Sequence, residues 1–287
     1  MKKFAMILAA GLFSLNMSAG TPVSEALPFA QLDFNPASIA MGSTYIECAS
    51  HIPHNPYFIG GGVGYENYMP ELSGTKYLNV GAASKINDNC GVSLSFVRGT
   101  GEEITGVGYT PFEILVNAGF GFMFSPRLAV GLNVKYAKEH LLKSYSNTAV
   151  LVDVTGTWKF HATELTAGVT GIGEAITTST GKFPLPTAVD IAAKQVFEFG
   201  SDHALTLAGR ADYYFAGHPA AGAGVEYCFS KMVFVRAGYH YGGESIVPSF
   251  ASAGLGLRFG HVELDGAYVF ASDVLGDSFS LRLGVRF

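Results

Sequence analysis

"RLAVGLNVKYAK", Arg127 to Lys138, alternates along its whole length. Leu128, Val130, Leu132, Val134 and Tyr136 fall on one set of positions; Arg127, Ala129, Gly131, Asn133 and Lys135 fall on the other. A period of two belongs to a strand with one apolar and one polar face. Such a strand sits in one of two places. Either its apolar face is covered by a second sheet in water, or it is turned towards hydrocarbon while the polar face is enclosed. Lys135 settles the direction for a membrane strand, because a lysine on the lipid side costs about 2–4 kcal/mol at the midplane.

The same pattern recurs. Asp153, Thr155, Thr157 and Lys159 alternate with Val152, Val154 and Trp158; Arg210 and Asp212 alternate with Leu207, Ala211 and Tyr213. From residue 57 onward fourteen such segments follow: 57–66, 76–86, 90–98, 111–124, 127–138, 148–160, 163–172, 186–199, 203–215, 219–229, 231–241, 250–259, 261–271 and 278–287. No helical period appears. Charged residues make up 14% of the 287-residue chain, against about a quarter in soluble domains. A charge-poor chain with no apolar run of about 18 residues after its leader has one membrane architecture open to it, the closed β-barrel. The expected fold is therefore an all-β, transmembrane antiparallel barrel of about fourteen strands. A secreted β-sandwich shares the alternation, but not the strand number or the low charge.

The connections orient the barrel. After even-numbered segments they are very short, as at 87–89, 125–126, 161–162, 230 and 260; after odd ones most are long. Outer-membrane barrels have tight periplasmic turns and longer outer loops. Both termini are thus expected in the periplasm. Phe287, closing the alternating stretch "SFSLRLGVRF", is expected at the periplasmic rim and resembles the assembly signal of such barrels.

Three parts are expected. Residues 1–20, "MKKFAMILAAGLFSLNMSAG", read as a cleaved secretory leader. Residues 21–56 lack alternation yet carry Leu27, Phe29, Leu32, Phe34, Ile39 and Met41, and are expected to fold into the lumen as a plug. Residues 57–287 form the barrel. "GGGVG" at 60–64 has no phosphate-loop ending and is expected to leave room for the plug. Cys48, Cys90 and Cys228 form no metal or redox spacing and are read as small buried residues.

Candidate lumen residues are Glu113, Lys135, Asp153, Lys159, Asp190, Lys194, Arg210, Asp212, Glu226, Arg236 and Arg258. Their mixed signs suggest internal ion pairs rather than an ion-selective pore. His51 and His54 are spaced for a metal but lack a carboxylate neighbour. His203, His218, His240 and His261 stand in no nucleophile spacing, so no catalytic, metal or cofactor site is expected. The net charge of -5 gives no basic footprint for nucleic acid.

"NPASIAMGSTYIECASHIPHNP", Asn35 to Pro56, resembles the N-terminal signature of the PorV/PorQ family, within the wider FadL-like group of outer-membrane barrels. Ala40, Met41 and Gly42 match its small-residue core, with Ser43 where a second glycine is usual; Asn55 and Pro56 match its second element. Asn35 and Pro36 open the same stretch. "LAVGLNVKYAKEHLLKSYSNTAVLVDVTGTWKF", "FPLPTAVDIAAKQVF", "VFVRAGYHYGG" and "HVELDGAYVF" resemble later family strands in order. The resemblance implies a fourteen-stranded barrel with an N-terminal plug in the outer membrane. It suggests docking or shuttling of exported protein, as in type IX secretion. Alternatively it suggests FadL-like passage of a hydrophobic small molecule, or a plugged structural barrel in a larger assembly. The implied partners are outer-membrane lipid, secretion proteins or cargo, or a hydrophobic ligand.

Overall fold

The computed structural model describes residues 25–71, 74–104, 108–142, 145–178, 181–242, 247–271 and 276–287. The expected leader and parts of the longer loops lie outside them. The strands are β1 (Ile59–Tyr68), β2 (Thr75–Lys85), β3 (Cys90–Thr100), β4 (Phe112–Ser125), β5 (Leu128–Leu142), β6 (Tyr145–Phe160), β7 (Thr163–Ile172), β8 (Ile176–Thr178), β9 (Gly181–Phe183), β10 (Ala188–Phe199), β11 (His203–Tyr214), β12 (Pro219–Phe229), β13 (Val233–Tyr241), β14 (Phe250–Phe259), β15 (Val262–Phe270) and β16 (Ser278–Arg286).

All except β8 and β9 form one closed antiparallel barrel of fourteen strands, each paired with its sequence neighbours. β8 and β9 make a separate small hairpin within the 173–185 connection, which the sequence reading leaves as plain loop. β1 pairs with β16 from Gly60↔Arg286 to Asn67↔Phe279, so no strand is left with an unpaired edge.

Alternation puts the apolar side chains outside. Leu132 and Val134 are 46% and 43% exposed, while Asn133 between them is 1% exposed. That is the reverse of a water-soluble sheet, and it suits hydrocarbon on the outside. The two rims differ. At the short-turn end a ring of exposed phenylalanines, Phe58, Phe124, Phe160, Phe199, Phe229, Phe259 and Phe287, closes one strand end after another. At the long-loop end the exposed aromatics include Tyr145, Tyr213, Tyr239 and Tyr268, and the Tyr268 hydroxyl donates to Asp277 at 2.7 Å. Val134→Lys, mid-strand on the outer face, is expected to lower stability by about 2–4 kcal/mol in lipid vesicles. Urea unfolding followed by heat-modifiable migration measures it. An unchanged midpoint would mean that this face does not meet lipid.

The segment ahead of β1 and the inner face of the wall share the apolar core. Residues 25–56 run inside the barrel through a 3-10 turn (Pro28–Gln31), a one-turn helix (Pro36–Ile39) and a second 3-10 turn (Ala49–His51). Leu27, Ala40 and Met41 have no exposed surface. Leu27, Phe29 and Phe34 pack on Tyr77, Val97, Leu115 and Leu151 of the wall. Asn35 caps the short helix, its side chain accepting from the Ala37 amide at 3.1 Å, and Pro36 occupies the first helical position.

The wall approaches this segment most closely where it carries glycine. A Cβ on Gly222, Gly224 or Gly238 would fall on the backbone of Met41 and Gly42; one on Gly121 or Gly131 would fall on that of Ala49 and Ser50. Gly42 itself has φ +74° and lies against the Tyr239 backbone, so both conformation and space require glycine there. Gly60 to Gly64 do not serve this purpose. Their missing side chains leave room for neighbouring strands, Arg282 and Asn79 instead. The expectation for "GGGVG" is corrected accordingly, because the plug backbone is received by Gly121, Gly131, Gly222, Gly224 and Gly238 instead. Cys48 and Cys228 are buried and free; Cys90, at the start of β3, is only half-buried, which corrects its reading as a buried residue.

Candidate functional site: the barrel interior

The inward positions carry ions in matched groups. Lys135 Nζ lies 2.7 Å from Asp153 Oδ2, and the other oxygen of Asp153 accepts from the Gly171 amide at 2.8 Å. Arg210 bridges two acids, donating from Nη2 to Asp190 at 2.8 Å and from Nε to Asp212 at 2.7 Å. Asp190 and Asp212 are direct cross-strand neighbours, so without the guanidinium two like charges would face each other. Arg236 likewise joins Glu226 and Asp265, each at 2.6 Å. Arg258 lies 3.6 Å from Glu263, which also meets Arg286 at 3.3 Å.

Glu164, absent from the sequence-derived candidates, holds a fifth group together. Lys159 and Lys194 each approach it at 3.1 Å, and His51 at 3.8 Å. Its register partners are Lys159 on β6 and Lys194 on β10, so the alternation around the 161–162 turn was the available signal. His51 also contacts Thr166 at 2.8 Å, whereas His54 meets Lys159 only through its backbone carbonyl. Beside His51, the Cys48 thiol is held below its usual range: burial opposes this, and the imidazole's charge and hydrogen bond prevail.

Glu113 is the one sequence-derived lumen candidate outside the ion pairs among the described residues. It accepts from the Tyr77 hydroxyl at 2.6 Å. Among the plug residues, Asn35 and Pro36 open the short helix, which packs on β14–β16, and Ala40, Met41 and Gly42 continue it against β12–β14, while Asn55 and Pro56 lie apart at the short-turn rim, Asn55 accepting from the Tyr57 amide at 3.0 Å.

Two cavities remain around the plug. One, about 60 Å³, lies towards the loop end, lined by Glu66, Tyr68, Tyr214, His240, Phe250 and Val269 among others. The second, about 100 Å³, is lined by Asn79, Asn117, Lys135, Asp153 and Arg282 among others. Gln31, Leu32, Asp33 and Arg210 belong to both linings and therefore form the partition. Arg210 fixes the segment from the wall, donating from Nη1 to the Tyr45 carbonyl at 3.0 Å. Gln31 Nε2 donates to the Pro186 carbonyl at 2.5 Å. Burial pushes the Asp33 carboxyl up to about 6, against the pull of its bonds to Ser38 and the Asn35 amide. A dry cavity of about 150 Å³ is needed to take benzene. Each space here is smaller, so a ring-sized solute passes only if residues 31–33 move.

No family model matches the chain, and no curated protein matches it. Solved structures do. The toluene transporter TbuX of Ralstonia pickettii aligns over 88% of this chain and 98% of its own, with a TM-score of 0.62 and 10% identity. The toluene transporter TodX of P. putida covers the same shares with a TM-score of 0.61 and 9% identity. A Pseudomonas aeruginosa FadL homologue aligns over 93% of this chain and 99% of its own, at 0.55 and 12%. At such identities the likeness is one of fold. The chain has the closed fourteen-stranded antiparallel architecture of FadL-like outer-membrane barrels.

Proposed function

We propose that this protein is a plugged conduit admitting a hydrophobic small molecule across the outer membrane. The observation that carries the reading is the pair of interior cavities that share Gln31–Asp33 and Arg210 in their linings. Two of the similar folds belong to proteins described as toluene transporters. On this reading residues 21–56 are the plug, 57–287 the conduit, and both termini lie in the periplasm, with Phe287 at the inner rim. The inward ion pairs, Arg210 among them, serve to fix wall and plug, leaving Gln31–Asp33 as the moving part. Docking of exported protein, suggested by the PorV/PorQ resemblance, rests on sequence likeness alone, and none of the structural likenesses adds to it.

Uptake of labelled toluene by intact cells tests the proposal. Cells carrying the protein are expected to take it up several-fold faster than cells without it, and faster still when the plug is unseated. Equal uptake in all three overturns the conduit reading. Capture of secretion proteins with the purified barrel, in place of uptake, would favour the docking reading.

A further inference from the structure

One interstrand row inside the barrel is acidic and unbalanced. Register joins Glu66 on β1 to Tyr77 on β2, Tyr77 to Gly99, Gly99 to Glu113 on β4, and Glu113 to Glu139 on β5. The ion pairs of the interior lie elsewhere. Among the described residues none of these three glutamates pairs with a lysine or arginine. Glu113 and Glu139 are instead satisfied by neutral donors, the Tyr77 hydroxyl and the Asn147 amide, each at 2.6 Å.

Glu66 differs from both. It is 5% exposed, and its Oε2 has no hydrogen-bond partner. A buried acceptor left without a donor costs about 1–3 kcal/mol, so such a group is the place where a ligand donor gains most. Glu66 lines the loop-end cavity together with Asp33, whose Oδ2 is also unpartnered. Arg210, the full cation of that cavity, is committed to Asp190, Asp212 and the Tyr45 carbonyl; the His240 ring stacks on Phe250 at 5.1 Å, and its two nitrogens have no hydrogen-bond partner. The remaining walls are aromatic and aliphatic, with Tyr68, Tyr214 and Phe250 presenting rings. Rings attract a cation over their faces, and two carboxyl groups attract it further. A carboxylate head group would meet two acids, with the His240 ring as the one uncommitted nitrogen group to offset them.

We propose that the loop-end cavity is a binding site for an apolar molecule bearing an ammonium head group, with Glu66 and Asp33 receiving its N–H donors. This rests on the conduit reading and names the substrate class that the conduit prefers. At about 60 Å³ the resting cavity has room for the head group; the apolar part lies along Ile39, Phe250 and Val269 once residues 31–33 move aside.

Three water-soluble probes of one shape test it: 2-phenylethylamine, 2-phenylethanol and phenylacetate, titrated calorimetrically into the detergent-solubilised, heat-modifiable barrel. The amine is expected to bind at least about tenfold more tightly than the carboxylate, which corresponds to about 1.4 kcal/mol. Glu66→Gln keeps size and should bring the amine to the affinity of the alcohol. Asp33→Asn should weaken the amine by a smaller factor and serves as the second variant if Glu66→Gln does not fold. Equal binding of all three probes overturns the head-group preference and leaves the conduit standing. Tighter binding of phenylacetate overturns it too. Binding of none overturns the site, and the conduit reading then stands or falls on the uptake assay.

Discussion

Gly238→Val is expected to unseat the plug while leaving the barrel closed. The new side chain would fall on the backbone of Met41 and Gly42, where no flexible side chain can give way. Either wall or plug must move. β13 is held by full ladders to β12 and β14, whereas the 40–42 turn hangs on a one-turn helix and a few contacts. The plug therefore yields. Overpacking of this kind costs about 1–3 kcal/mol, enough to shift a docked segment whose own stability is local. In planar bilayers the variant is expected to conduct where the parent is nearly silent, and a protease should cut within 25–56 many times faster. Heat-modifiable migration should persist, showing that the barrel itself still forms. A silent, protease-resistant Gly238→Val barrel would show that the plug does not block the path.

Arg210→Ala should be the most destabilising single charge change. Its guanidinium is enclosed, with 13% of the side chain exposed, and it separates Asp190 and Asp212, whose side chains are 1% and 3% exposed. Removing one partner of a buried group leaves unpaired charge in low dielectric and costs about 3–5 kcal/mol. The bond to the Tyr45 carbonyl is lost as well, so plug docking should loosen along with the wall. Urea unfolding in lipid vesicles reads the first effect and proteolysis of the plug reads the second. Restoring neutrality with Asp190→Asn and Asp212→Asn in the same chain should recover most of the wall's stability, but not the plug's resistance. Recovery of neither would mean that the arginine acts through packing rather than charge.

The barrel was legible because its signal is periodic and repeated. The segment read as 203–215 appears as His203–Tyr214, and that read as 250–259 appears with the same bounds. β6 begins at Tyr145 instead of 148, since "SYSN" shows no apolar alternation although its backbone still pairs with β5. The three-residue strands β8 and β9 are too short to carry a period. The interior was less legible. That Lys135 and Asp153 point inward follows from alternation; that they meet each other follows from register, which is set by turn geometry and a bulge and not by residue type. Glu66 and Glu164 gave no signal beyond being charged residues on alternating strands. The docking glycines were the hardest: "GGGVG" is conspicuous yet serves the wall, whereas Gly222, Gly224 and Gly238 stand singly in ordinary strands and receive the plug. A missing side chain says that something comes near, but not what.

The seam between β1 and β16 joins the two strands farthest apart along the chain. Loop closure across that span gives no return until the final ladder zips, and a half-closed sheet would hold Lys135, Arg210 and their counter-ions against hydrocarbon. Partly assembled forms are thus disfavoured from both sides, and assembly is a single late commitment. Residues 25–56 lead directly into β1, so the strand that makes the final seam also carries the segment that fills the barrel. Closure of the wall and seating of its contents are thereby tied to one stretch of chain, and the docking glycines bear on assembly as well as on the finished protein.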